Sequence, residues 1–155
     1  MSALATDSIK EENFDMTDFK FVKLKIPNLI PYEFIENVKG REFTPEEFYE
    51  YQNEQINNPY NLLYALIDET SLIQGFLWAV RERVPKNKLF VNTFSISKKY
   101  WNKGKAMPIV QDFLRRIMKE YGVRKVGWAT ENSKFFKKHG FKESKTRLME
   151  YTEEC

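Results

Sequence analysis

Four lysines and one glycine are concentrated between residues 97 and 105, which read SKKYWNKGK and lead directly into AMPIVQDF. Gly104 has no side chain that would keep a ligand away from the backbone. At the start of a helix the first amide groups lack internal partners, and the helix dipole adds about half a positive charge. Phosphate oxygens fit such an end, and Lys103 and Lys105 add mobile charge. The stretch predicts a phosphate site or, more simply, an ordinary turn on a lysine-rich surface.

A strand and a helix must position this turn. The preceding LFVNTFSIS is rich in strand formers, and the helix predicted over residues 104–121 has apolar residues spaced by three and four. These are Ala106, Val110, Phe113, Leu114, Ile117, Met118 and Tyr121. Gly122 supplies the stop, and VRKVGWA (123–129) has the composition of a strand. Because one helix joins these two strands, we predict a parallel crossover.

Two helices and a strand are expected before residue 60. FKFVKLKI (19–26) suits a half-buried strand, with Phe19, Phe21, Leu24 and Ile26 nearly in register. LIPYEFIENVKG predicts a short helix that ends at Gly40.

The next segment, FTPEEFYEYQNEQINN, carries a full set of helix-start signals. Thr44 can cap, Pro45 occupies the first helical position and Glu47 completes a capping box. Phe43 and Phe48 are placed to form a hydrophobic staple.

The middle of the chain predicts an antiparallel meander of LLYALID, LIQGFLWAVRERV and KLFVNTFSIS, separated by ETS and PKN. A second short helix, NSKFFKKHG, and a last strand, FKESKTRLMEY, follow the crossover. We therefore expect an α+β domain over residues 17–155 with a mixed, mostly antiparallel sheet and helices on both faces. Residues 1–16 are predicted to be flexible.

Composition limits the classes of protein that fit. The 155 residues are 42% hydrophobic, enough for one core. The net charge of +3 divides into −6 over residues 1–60 (6 basic, 12 acidic) and +9 over residues 61–155 (19 basic, 10 acidic). The sequence has no apolar segment of bilayer length and no apolar signal core at its start, which predicts a cytoplasmic protein without a membrane partner. One cysteine and one histidine predict neither a disulfide nor a metal site.

The stretch from Trp101 to Ala106, WNKGKA, resembles the R/Q-x-x-G-x-G/A pyrophosphate signature of the GNAT superfamily of acyl-CoA N-acyltransferases. Ile96 and Tyr100 fall where the family usually has a valine and an aromatic residue. FKKHGF (136–141) is similar to a second family signature, Y-x-K-x-G-F. The resemblance covers the chain from about residue 19 and extends more weakly to GNAT-like proteins of tailed phages.

The resemblance implies acetyl-CoA, or CoA, as the cofactor and an amine on a small molecule or protein as the acceptor. Backbone groups near Phe94 and Ile96 would bind the pantetheine arm, and the amides of Asn102, Lys103, Gly104, Lys105 and Ala106 would hold the pyrophosphate. Trp101 would stack on the adenine or simply pack. Asn132 and the FFKK helix, which includes Lys138, would flank the far side of the cofactor.

Three departures from the family pattern accompany this resemblance. Trp101 replaces the polar residue that opens the signature, and the segment from Asn132 to Phe136 is about three residues shorter than usual. Phe136 stands where many members have the tyrosine that protonates the departing thiolate. Because a thiol leaves with less help than an alkoxide, this loss slows transfer without forbidding it.

No carboxylate lies in LFVNTFSIS, so the general base is sought elsewhere. Glu82 on the preceding strand and Glu131 after the fifth strand are candidates, although each also fits an ordinary surface glutamate.

Three functions stay open at this point. The first is acetyl-CoA-dependent N-acyl transfer to an unidentified amine. The second is a GNAT-fold protein that has lost catalysis and serves as a binding or structural component, for example in a phage. The third is a nucleic-acid module built on KKYWNK, which is disfavoured by the small basic excess. The oligomeric state is open, with a dimer among the options.

Overall fold

The computed structural model describes residues 19–38, 41–82, 88–101 and 104–128, and all structural statements below concern these residues. Within them the strands and α-helices follow in chain order: β1 (Lys20–Lys23), α1 (Tyr32–Glu36), α2 (Pro45–Glu54), β2 (Asn61–Ile67), β3 (Ile73–Glu82), β4 (Lys88–Ile96), α3 (Ala106–Tyr121) and β5 (Lys125–Trp128). Single turns of 3₁₀ helix occupy Pro27–Leu29 and Lys98–Tyr100.

The five strands form one sheet in the order β1-β2-β3-β4-β5. The pairs β1–β2, β2–β3 and β3–β4 are antiparallel, and β4–β5 is parallel. The predicted meander and the predicted parallel crossover through α3 are therefore both confirmed.

Helices cover both faces of this sheet. On one face, called the α3 side, Ile109, Phe113 and Ile117 of α3 pack against buried side chains of β2, β3 and β4. On the other, called the α1/α2 side, Phe34 and Phe48 pack with buried residues of β2 and β3. The structure thus has the predicted α+β class, with a mixed sheet between helical layers. In the described part of the chain, no helix has the length and apolar character needed to cross a membrane.

The start of α3 differs slightly from the prediction. The helix begins at Ala106 and not at Gly104, which precedes it with a left-handed φ of 66°. Pro108 is therefore the third helical residue, where an amide would have no internal partner in any case.

The end of α3 is where the sequence predicts it. Gly122 adopts a φ of 65°, and the amide of Val123 donates to the Met118 carbonyl at 2.9 Å. Near this end the buried Tyr64 hydroxyl donates to Glu120 Oε2 at 3.0 Å. Burial raises the pKa of Tyr64 far above the ordinary tyrosine value. The neutral phenol therefore ties the C-terminal turn of α3 to β2.

The helix-start signals of α2 are confirmed in atomic detail. Thr44 Oγ1 accepts from the Glu47 amide at 3.1 Å, and Glu47 Oε1 accepts from the Thr44 amide at 2.9 Å. The rings of Phe43 and Phe48 lie 5.7 Å apart, as expected for a hydrophobic staple.

Two predictions near the start of the chain are wrong in detail. The first strand ends at Lys23, and Leu24 packs on the opposite side of the sheet from Phe19, because side chains an odd number of residues apart alternate faces. Ile26, predicted to be buried, is 57% exposed. The helix α1 ends at Glu36, before the predicted stop at Gly40.

Several predictions lie outside the described residues. They are the flexible segment 1–16, the PKN turn, the helix NSKFFKKHG and the strand FKESKTRLMEY.

Close contact between β3 and β4 depends on Gly75. A Cβ at this position would overlap the carbonyl oxygen of Ser95 and lie 3.0 Å from Ile96 Cα. At Gly127 on β5, by contrast, the nearest atom to a Cβ is Lys88 Cε at 2.9 Å, in a long side chain that can move.

We predict that Gly75→Ala lowers the free energy of unfolding by about 1–3 kcal/mol, because the two backbones must separate. Gly127→Ala is the matched control and should be close to neutral. Alanine is favoured over glycine in a strand by roughly 0.5–1 kcal/mol, and this gain offsets the cost of moving the Lys88 side chain. Urea unfolding of both variants provides the measurement. Equal losses would show that the close approach at Gly75 is unimportant.

The turn between β2 and β3 is organised by the carboxylate of Asp68. Its Oδ1 accepts from Thr70 Oγ1 at 2.7 Å and from the Leu72 amide at 3.0 Å, and its Oδ2 accepts from Gln74 Nε2 at 2.7 Å. These bonds, the one from the Thr70 hydroxyl first, lower the pKa of Asp68 to about 2.

A lowered pKa in the folded state means that the ionised carboxylate stabilises the fold above its ordinary pKa of about 3.9. We expect Asp68→Asn to lower the free energy of unfolding by at most about 1 kcal/mol at neutral pH, because solvent screens this turn. The difference from wild type should shrink as pH falls from about 4 to about 2. Urea titrations at pH 7, 4 and 2 test this. A deficit that is undiminished at pH 2 would contradict the assignment.

Candidate functional site

The strand that leads to the lysine-glycine turn contains one extra residue. Trp78 of β3 pairs with Thr93, but the next residue, Ala79, pairs with Val91, so Asn92 has no partner in β3. Such a bulge reverses the alternation of side chains beyond it. Val91 and Phe94 consequently both face the α3 side, although they are three residues apart.

The same register fixes where the backbone of the end of β4 points. The Ser97 amide donates to the Gln74 carbonyl at 2.7 Å, so residue 97 directs its backbone groups toward β3. Because hydrogen-bonded and non-hydrogen-bonded pairs alternate in an antiparallel ladder, Phe94 and Ile96 direct theirs away from β3, toward the β5 side.

The described part of β5 pairs only with the first half of β4. The parallel register runs from Lys88 opposite Lys125 to Val91 opposite Trp128. Within the described residues, no strand pairs with Phe94 or Ile96 on the β5 side. The end of β4 therefore presents the backbone groups of Phe94 and the amide of Ile96 to an extended ligand that could pair with them.

The turn after β4 is held to that strand by Trp101. Its indole Nε1 donates to the Ile96 carbonyl at 3.0 Å, and its backbone amide donates to the Lys98 carbonyl at 3.0 Å. The indole also packs against the core on the α3 side, and the Lys98 ammonium lies 5.8 Å from the centre of the ring. Trp101 thus fixes the path of the turn and holds one positive charge beside it.

Tyr100 anchors the turn to the core on the α3 side. It is 9% exposed, and its ring meets Phe19 edge to face at 5.5 Å. Burial, reinforced by the nearby carboxylates of Asp68 and Glu69, raises the pKa of Tyr100. The phenol therefore stays neutral, and the positive charge of the turn comes from its lysines.

The end of the turn combines Gly104 with the N-terminus of α3. A Cβ at Gly104 would meet no atom within 4 Å in the described structure, so open space lies beside this backbone. Lys105 is the N-cap residue of α3 and provides no side-chain cap, and the first turn carries no acidic residue. This positive helix end can accept an anion from the side where Gly104 leaves room.

The described parts of these features, residues 94–101 and 104–106, make up the candidate binding surface. It offers backbone hydrogen bonds along a strand and then an electropositive turn, which suits an extended ligand with a phosphate at one end. Of the residues predicted to form the site, Phe94, Ile96, Trp101, Gly104, Lys105 and Ala106 lie along this surface.

Other predicted site residues lie elsewhere. Glu82 pairs with Lys88 at the start of β4. Lys88 lies about 26 Å from Ile96 at the other end of the strand, at ~3.3 Å per strand residue. Glu82 is exposed, and the structure does not bring it to the turn. Asn102, Lys103, Glu131, Asn132, Phe136 and Lys138 lie outside the described residues.

Sequence reasoning missed two features of this surface. The bulge at Asn92 has no distinct residue signal, because neighbouring polar residues also occur in regular strands. The second feature is the contact of Trp128 with Phe94, whose rings meet edge to face at 6.2 Å, across from β5 to β4. Pairing β5 with β4 in the observed register would have suggested this contact. Among the described residues, no three metal-binding side chains converge.

Comparisons with known proteins agree with this fold. The chain resembles a possible acetyltransferase from Clostridium difficile 630, at 11% identity and a TM-score of 0.69, over 88% of this chain and 99% of that one. It also resembles a variant of spermidine N-acetyltransferase from Vibrio cholerae, at 16% identity and a TM-score of 0.66, over 83% and 81% of the two chains.

A third solved structure is that of the aminoglycoside N-acetyltransferase AAC(6')-Iy in complex with CoA, at 13% identity and a TM-score of 0.62, over 89% and 95% of the two chains. At these identities the likeness shows the fold. No curated protein matches by sequence. The model of the acetyltransferase (GNAT) family matches residues 30–141, which is more than half of the chain. This protein belongs to the acetyltransferase (GNAT) family.

Proposed function

We propose that this protein transfers an acyl group, acetyl in the simplest case, from acyl-CoA to the nitrogen of an amine. The observation that carries the proposal is the union of two binding features at the end of β4. The backbone of Phe94 and Ile96 points to a side with no described partner strand, and Gly104 with the N-terminus of α3 follows immediately.

The residues present fit acyl-CoA. The amides between Gly104 and Ala106 would hold the pyrophosphate, because this helix end is positive, lacks a side-chain cap and has open space beside it. The backbone groups of Phe94 and the amide of Ile96 would pair with the amide groups of the pantetheine arm, as an added strand pairs with a sheet edge, while the Ile96 carbonyl keeps its bond from Trp101. Support also comes from a structural relative that was solved with CoA.

When bound, acyl-CoA supplies a thioester that a neutral amine can attack directly. The nitrogen–carbon bond forms, the carbon–sulfur bond breaks, and one proton passes from the nitrogen to solvent or to a base. The chain contributes chiefly by fixing the two reactants in place, which can account for a large part of the acceleration.

The proton-transfer groups are proposals from sequence alone. Phe136 at the usual tyrosine position cannot donate a proton, so the thiolate would leave without an acid. This slows transfer by up to the ~10²–10⁴-fold that a positioned acid contributes. Since Glu82 lies at the far end of β4, Glu131 is the remaining glutamate candidate for the base.

The helix α3 offers a matched pair of glycines for testing the phosphate site. Gly104 and Gly122 have nearly equal φ angles, 66° and 65°, and a Cβ at either position would meet no atom within 4 Å. They flank opposite ends of the same helix, and aspartate is among the residues that best tolerate this conformation.

We predict that Gly104→Asp weakens acetyl-CoA binding on the order of tenfold or more. The new carboxylate would repel the negative charges of the pyrophosphate, and each such pair of charges at ~4 Å costs about 1 kcal/mol even in water. Gly122→Asp should leave the affinity unchanged. The free energy of unfolding should be lowered more by Gly122→Asp than by Gly104→Asp. The reason is that a carboxylate stabilises a helix at its N-terminus and destabilises it at its C-terminus, by about 0.3–1 kcal/mol. Calorimetric titration with acetyl-CoA and urea unfolding measure the two effects.

Wild type should first be stabilised by acetyl-CoA, by about 2.7 kcal/mol at 100 times the dissociation constant. Release of CoA thiol in the presence of candidate amines, such as spermidine, then tests transfer. If folded wild type neither binds acetyl-CoA nor is stabilised at millimolar concentrations, the proposal is wrong. Binding without thiol release for any amine would favour a GNAT-fold protein that has lost catalysis.

A further inference from the structure

Two aromatic rings meet on the α3 side of the sheet where β4 passes the last described residue of β5. Trp128 stands opposite Val91 in the parallel register, and its ring reaches forward to Phe94, with centroids 6.2 Å apart at an interplanar angle of 72°. Both residues are partly buried against the core on this side. The bulge at Asn92 makes the contact possible, because in a regular strand Phe94 would face the α1/α2 side.

The position of this pair along β4 coincides with the reacting end of the proposed donor. With its pyrophosphate at the turn after β4, an extended pantetheine arm would run back along the β5 side of β4, past Ile96 and Phe94. It can go no further than Asn92 on that side, because Val91 is already paired with Trp128 of β5. The thioester would therefore lie at the level of the aromatic pair.

We infer that Phe94 and Trp128 form a gauge that limits the length of the acyl chain, so that short acyl-CoAs are the donors this protein accepts. The inference rests on the proposed function and specifies its donor. The rings would lie beside the acyl group on the α3 side, and a longer chain there must displace one ring from the other or from the core against which both pack. Closely packed side chains do not admit extra methylenes without such movement.

The affinity of each donor tests the gauge and requires no knowledge of the amine. Wild type is titrated calorimetrically with CoA, acetyl-CoA and butyryl-CoA. We expect acetyl-CoA to bind about as well as CoA, and butyryl-CoA to bind at least tenfold more weakly. Trp128→Ala should raise the affinity for butyryl-CoA relative to acetyl-CoA on the order of 15-fold, because each newly buried methylene contributes about fourfold. Phe94→Leu, which preserves more of the packing, should shift the same ratio in the same direction by less.

Phe21→Ala is the matched control. Phe21 is also a partly buried aromatic residue on the α3 side, where it stacks on Phe113 at 4.2 Å, but it belongs to β1 at the far edge of the described sheet. The substitution removes a similar aromatic contact and should leave the butyryl-to-acetyl ratio within twofold of wild type.

The outcomes separate the two proposals. Wild type that binds neither CoA nor acetyl-CoA would overturn the proposed function and the gauge with it. Wild type that binds acetyl-CoA and butyryl-CoA equally well would overturn the gauge alone. The gauge alone would also be overturned if Trp128→Ala and Phe94→Leu both fold and give the same butyryl-to-acetyl affinity ratio as the Phe21→Ala control. If Trp128→Ala does not fold, the ratio measured on Phe94→Leu decides.

Discussion

The extra residue in β4 is the constraint on which the rest of the site depends. If Asn92 instead paired regularly with Trp78, the alternation of the strand would continue unbroken, and Phe94 would stand opposite Phe76 and point toward α1 and α2 instead of α3. The bulge also sets which backbone groups turn away from β3. By displacing the end of β4 by one residue, it leaves Phe94 and Ile96 with their polar groups on the β5 side and delivers the chain to the turn that precedes α3.

The end of β4 is then fixed by contacts on three sides. Gly75 lets β3 approach closely, Ser95 Oγ donates to the Phe34 carbonyl at 2.6 Å on the α1/α2 side, and Trp101 donates to Ile96 from the turn. These restraints order the strand before any ligand arrives, which lowers the entropy that binding must overcome. The tryptophan that breaks the family signature therefore has a positioning role in this chain, in place of the polar contact that an arginine or glutamine would make.

Much of this fold follows from local patterns in the sequence. The capping box at Thr44, the spacing of Phe113 and Ile117 and the stop at Gly122 act within a few residues, so they could be predicted. The turn before α3 was predictable for the same reason, because Gly104 and its lysines are contiguous. The exposure of Ile26 and the contact of Trp128 with Phe94 were not, since they depend on which strands pair and in what register.

We propose that the end of β4 and the N-terminus of α3 bind the pantetheine and the pyrophosphate of one CoA molecule. Titration of ¹⁵N-labelled protein with CoA, followed by amide chemical shifts, tests this residue by residue. We expect the largest changes at Phe94, Ile96, Gly104 and Ala106, with Gly122 at the other end of α3 unmoved. Saturable changes centred elsewhere, with these four amides unaffected, would contradict it.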